Sequence, residues 1–142
     1  AMSPEDISLV KSSFAKVAPN SEQAATLFYA RLFEIAPGVR PMFKGDISEQ
    51  GRKLMKTLAV VVSGLSDLPS ILPAAEALAI RHAGFGVRPE HYAPVGEALI
   101  FTLEKGLGAD FTPATKNAWV SAYALLSGFM IEKATAAQAA TE

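Results

Sequence analysis

The chain has 142 residues, half of them hydrophobic, with a formal net charge of −1 and no cysteine. That length suits one domain around one buried core and leaves no room for a second catalytic domain, while the near-zero charge gives no electrostatic case for nucleic acid or an anionic membrane as partner. Without cysteine there is no disulfide framework, thiolate metal site or cysteine nucleophile, and the composition suits a soluble protein of a reducing cytoplasm.

Ala1 ahead of Met2 reads as an appended residue, and Glu5 and Asp6 interrupt any leader-like apolar run. Ser3-Pro4-Glu5-Asp6 is a helix start, combining a capping hydroxyl, a proline where no N–H is needed, and acids at the positive end of the dipole. Ile7, Val10, Phe14 and Val17 then recur at helical spacing. Pro19-Asn20 breaks that helix and Ser21 is expected to cap the next, whose apolar stripe is Ala25, Phe28, Tyr29, Leu32 and Phe33 and which ends before Pro37. After a loop around Gly45-Asp46, the residues Leu54, Met55, Leu58, Val61, Val62 and Leu65 form a long helical face. The apolar run from Leu58 to Val62 is far too short to cross a bilayer.

Pro69 and Pro73 are expected to bracket the start of a shorter helix that runs through Ala79 to His82 and stops at Gly84 and Gly86. Pro89-Glu90 opens another, with Val95, Leu99, Leu103 and Leu107 inward. Thr112-Pro113 opens the last, with Trp119, Ala122, Tyr123, Leu126 and Phe129 or Met130 on its inner face. The Ala-, Thr- and Gln-rich residues 135–142 read as a frayed tail. No segment alternates like a strand. The reading is one all-α domain over residues 1–142, and periodicity alone leaves a plain helical bundle open.

Two histidines are too few for a multi-histidine metal site. His91 falls in the first turn of a helix, where a solvated side chain is the ordinary outcome. His82 lies late in a short apolar helix beside a glycine-rich turn, a position that suits either a core histidine or a ligand. Carboxylates are scattered singly, without an acid–base pair, and Gly84-Phe85-Gly86 is too short to cradle a phosphate.

Several fragments fall in a telling order. Leu27-Phe28-Tyr29-Ala30-Arg31-Leu32-Phe33 precedes Ala36-Pro37 and Phe43; then come Gln50, Arg52, Lys53 and Leu54; then Arg81-His82, Phe85, Val87, Pro89-Glu90 and Tyr92; and finally Ala118-Trp119 with Ala122-Tyr123. In that order and spacing the chain resembles the globins, in particular the haem domain of bacterial flavohaemoglobins and related single-domain haemoglobins, from about Ser3 to Lys133.

The resemblance implies a globin fold of six to eight helices around a pocket for one five-coordinate haem b, iron protoporphyrin IX. His82 would be the proximal ligand, its second ring nitrogen oriented by the carbonyl of Leu78 and the site supported by Tyr92. Phe43, Phe28 and Val87 would pack on the porphyrin. On the distal side Tyr29 and Gln50 would donate to a bound ligand, and Leu54 would close the pocket. Lys53 and Arg81 would either meet the haem propionates or lie solvated. One departure concerns a glutamate that flavohaemoglobins carry late in the last helix: an ungapped count puts Ala134 there, and the nearest acid is Glu132.

The implied function is reversible binding of oxygen, and also of nitric oxide and carbon monoxide, rather than catalysis. The alternatives are nitric oxide dioxygenation with a separate reductase, since no flavin or nicotinamide motif is present, and haem-based gas sensing.

Overall fold

Ser3 starts the first helix by a reciprocal cap: its hydroxyl accepts the Asp6 N–H at 3.1 Å and the Asp6 carboxylate accepts the Ser3 N–H at 3.3 Å. The computed structural model describes residues 2–43 and 45–141, with side chains as far as Ala139. Ala1 and Glu142, the ends of the expected remnant and tail, lie outside the described residues. Helix α1 (Pro4–Val17) turns through a 3₁₀ segment, Ala18–Asn20, into α2 (Ser21–Ile35). Ser21 is therefore the first residue of α2 rather than its cap, because the 3₁₀ turn ahead of it leaves no extended capping residue. A second 3₁₀ segment, Pro37–Met42, leads to Phe43. Asp46 then accepts the Ser48 N–H at 3.0 Å and starts α3 (Ile47–Gly64).

Helix α4 (Leu68–Gly84) includes Pro73 in its interior, so Pro73 does not bound it as expected. Proline there forfeits the bond to the Pro69 carbonyl, yet Ile71, Ala75 and Ala79 on the same helix are buried, and that burial outweighs the lost bond. A 3₁₀ turn at Pro89–His91, where a helix start was expected, leads into α5 (Tyr92–Leu107). Helix α6 runs from Pro113 to Thr141, so the segment after Lys133 continues as helix instead of fraying; alanine is the strongest helix former. There is no strand among the described residues.

Helix α4 packs along α6, α1 crosses α6, and α2 lies against both α3 and α5. Contact between α3 and α4 is slight, and at their corner Gly64 lets the two close up on Ile71. The core joins Val10 and Phe14 of α1, Phe28 and Leu32 of α2, Leu99 and Leu103 of α5 and Trp119 of α6. Burying each such side chain is worth about 1.5–3 kcal/mol. Trp119 also donates its indole N–H to the buried hydroxyl of Ser13 at 2.8 Å, which fixes α6 against α1. No helix among the described residues is long and apolar enough to cross a membrane.

Candidate functional site

Tyr29 sits on the inner stripe of α2, 5% exposed, with its ring edge-on to Phe28 and Phe43 and tilted on Phe33. Its hydroxyl donates to the backbone carbonyl of Gln50 at 3.3 Å. Burial raises the phenol to about 12, so it keeps its proton across the physiological range and is a donor. The bond to α3 is possible because Gly51 follows Gln50. A Cβ at Gly51 would stand 2.8 Å from the Cβ of Ala25, so only glycine lets α2 and α3 approach this closely. One turn on, Leu54 is half-buried against the core.

Phe43 closes the aromatic group. Its backbone N–H donates to Arg40 at 3.1 Å, ending the 3₁₀ segment, and its ring lies 5.5 Å from Phe33. Three phenylalanine rings, Phe28, Phe33 and Phe43, thus pack on the Tyr29 ring, a largely desolvated setting in which a hydrogen bond is stronger than in water. Phe33 belongs to this group although the helical stripe marked it only as core; nothing in the spacing separates the two roles.

His82 lies in the last turn of α4 and is half-buried. Burial lowers its pKa and the neighbouring Arg81 charge lowers it further, while a hydrogen bond with the Leu78 carbonyl raises it; burial is the largest of these. The ring is therefore held toward its neutral form, with one N–H given to Leu78 and a lone pair on the other nitrogen. After α4, the Val87 N–H donates to the His82 carbonyl at 3.0 Å, with Gly86 in the left-handed region at φ 92° turning the chain. His91 does something else: its Nδ1 accepts the Arg88 N–H at 2.9 Å and closes the turn before α5.

Tyr92 starts α5, half-buried and raised in pKa by burial. The half-buried Tyr123 of α6 donates its hydroxyl to the Tyr92 backbone carbonyl at 2.5 Å, over the smooth face that Gly96 leaves. The sequence reading put Tyr123 on the inner face of its helix without this partner. Glu132 is exposed and Ala134 half-buried, and among the described residues no carboxylate contributes to the shifts at His82 or Tyr92. Lys53 and Arg81 are both exposed. The residues singled out from sequence thus assemble as Tyr29, Phe28, Phe43 and Gln50 at one place, and Leu78, His82 and Val87 at another.

A family model described as "Globin" matches residues 26–130. The chain belongs to the globin family. Among its relatives, the flavohemoproteins of Bordetella parapertussis and Bordetella bronchiseptica are each 31% identical, aligned over 98% of this globin but 35% of the relative. This globin therefore spans about a third of the length of those relatives. Its fold superposes with a TM-score of 0.90 on an engineered carbene transferase from Rhodothermus marinus, whose parent carries the provisional name nitric oxide dioxygenase. That protein is 26% identical, with 99% of each chain covered. A bacterial globin from Campylobacter jejuni superposes with a TM-score of 0.85, also 26% identical, covering 96% of this chain and 99% of that one.

Membership implies a haem cofactor, and the residues present fit one. Along α3 the side chains of Leu54, Leu58 and Val61 pack against the core yet remain half-buried, and Leu78, His82 and Val87 are half-buried as well. Apolar faces left partly uncovered suit a broad apolar group, and the neutral imidazole among them offers the nitrogen lone pair that iron takes.

Proposed function

We propose that this globin holds one haem b on His82 and binds a diatomic gas reversibly, oxygen in the first place, with nitric oxide and carbon monoxide as further ligands. The observation that carries this reading is the buried, protonated Tyr29 hydroxyl hydrogen-bonded to the backbone of Gln50. When bound, ferrous haem supplies the open coordination position that such gases need. The Leu78 carbonyl fixes the tautomer and rotation of His82, presenting its free lone pair in one direction. Phe28, Phe43 and Val87 furnish the apolar packing for the macrocycle, and Tyr92 supports the histidine side. Tyr29 and Gln50 are the donors toward the ligand, with Leu54 closing the space beside them; the long 3.3 Å bond from Tyr29 to the Gln50 carbonyl is weak enough to be exchanged for a better acceptor. Lys53 and Arg81 sit exposed beside these positions, suited by charge to the propionates.

Absorption spectra of the purified protein, ferrous and then with carbon monoxide, test the reading; a chain that takes up no haem in stoichiometric amount sinks it. The names of the relatives favour a second reading, nitric oxide dioxygenation, in which a reductase outside these 142 residues restores the ferrous state. Repeated nitric oxide consumption with NADH would then need that added reductase; turnover without it would refute the need for a separate reductase, and no consumption even with it would refute this second reading.

A further inference from the structure

A groove of about 960 Å³ opens between the start of α2, the start of α3 and the end of α5. Ser48 and Gly106 stand exposed at its mouth, Met55 and Ala25 line its walls, and the Tyr29 ring lies at its floor. We propose that this groove is the route by which a diatomic gas reaches the hydroxyl end of Tyr29, with the Tyr29 ring as its inner door. The inference rests on the gas-binding reading above.

Three features carry it. The groove ends on the one side chain whose hydroxyl that reading uses, and Tyr29 is 5% exposed although it contributes to the lining, so the ring separates the groove from what lies behind it. The seam between α2 and α3 beside the ring is shut, since a Cβ at Gly51 would be only 2.8 Å from Ala25 and 4.0 Å from the Tyr29 ring. A molecule moving inward from the groove thus meets the ring and not a gap in the helix contact. The door is also lightly latched. The Tyr29 hydroxyl is held at 3.3 Å by a single carbonyl, and the ring contacts Phe28, Phe33 and Phe43 by edges and tilted faces that permit small rotations. A diatomic gas needs no more than about the 30 Å³ share of one water molecule and is uncharged, so it sheds little hydration on entering a groove whose lining mixes apolar side chains such as Ala25 and Met55 with polar ones such as Arg52 and Thr102.

The test fills the mouth. Ser48 is exposed, and a Cβ at Gly106 would meet only Val17 at 3.6 Å, so Ser48→Trp with Gly106→Phe adds bulk outside the core. In the haem-loaded protein, carbon monoxide association and dissociation should both slow by the same factor, about tenfold if the barrier rises by 1.4 kcal/mol, leaving affinity unchanged. Independently of haem, the methyl resonances of Ala25 and Met55 should shift under xenon in the wild type and stop shifting in the filled variant. Association at the wild-type rate in the filled variant overturns the route, and so does slower association without matching slower dissociation, which marks an altered bound state. If the wild-type chain takes up no haem, the gas-binding reading fails instead, and xenon then decides the groove by itself: absent shifts at Ala25 and Met55 overturn it.

Discussion

The Tyr29 hydroxyl reaches from α2 to the backbone carbonyl of Gln50 on α3, at 3.3 Å, and so ties together the two residues proposed as distal donors. Because the bond is to a backbone atom, it leaves in place when the Gln50 side chain is changed. Tyr29→Phe should therefore lose both the link to α3 and the donor to the ligand. A hydrogen bond to a partly charged oxygen is worth about 1.5–3 kcal/mol, which corresponds to roughly ten- to a hundredfold faster oxygen release. Carbon monoxide carries less charge when bound, so its release should change far less. Stopped-flow oxygen dissociation at the wild-type rate in Tyr29→Phe would make Tyr29 a purely structural tyrosine.

The three tyrosines give an alkaline signature. Burial raises Tyr29 to about 12, raises Tyr92, and raises Tyr123 further. In the unfolded chain all three titrate near the ordinary value of about 10. A folded pKa above the unfolded one means that stability is fully present below about pH 10 and is lost as pH rises toward 12, where the unfolded chain releases protons first. Tyrosinate absorbance of the native protein should rise at higher pH than in urea, and Tyr29→Phe should lessen the loss of stability between those limits. Superimposable native and urea curves would contradict the burial described for these hydroxyls.

Much of this was legible in the residues, for identifiable reasons. The cap of α1 and the stripes of α1, α2 and α5 follow from local chemistry and period, and the stripe of α2 turns Phe28, Tyr29 and Leu32 inward. Pro73 misled because a proline's local cost is visible in sequence whereas the burial of Ile71, Ala75 and Ala79 that outweighs it is a tertiary fact. The stretch after Lys133 misled in the opposite sense: its low apolar content suggested fraying, while its alanines favour helix. The acceptor of the Tyr29 hydroxyl could not be read at all, since backbone carbonyls carry no sequence signal. The helix-interior Gly51 was the available hint of a close approach.

The two histidines should separate cleanly. His82→Ala removes the proposed ligand, so stoichiometric haem uptake and the ferrous spectrum should be lost. His91→Ala removes the acceptor for the Arg88 N–H, a capping bond, and should cost about 1 kcal/mol while haem remains bound. Haem titration and urea unfolding on both variants measure this, and haem loss from His91→Ala with retention in His82→Ala would reverse the assignment.

Two glycine substitutions test the packing beneath Tyr92. At Gly96 a Cβ would lie 2.6 Å from Cε2 and 2.9 Å from Cδ2 of Tyr123, and the ring has little freedom to withdraw because its hydroxyl is held on the Tyr92 carbonyl. Gly96→Ala should therefore destabilise by about 1–3 kcal/mol through overpacking, despite alanine's better helix propensity. At Gly128 in α6 a Cβ would meet nothing within 4 Å, so only the propensity remains and Gly128→Ala should stabilise by about 0.5–1 kcal/mol. Both residues lie inside helices, so propensity favours the two changes alike and the difference in sign isolates the Tyr123 contact. Thermal unfolding of the two variants is the measurement. If Gly96→Ala raised the melting temperature as Gly128→Ala should, Tyr123 would have room to move and its hold on the start of α5 would be looser than the geometry describes.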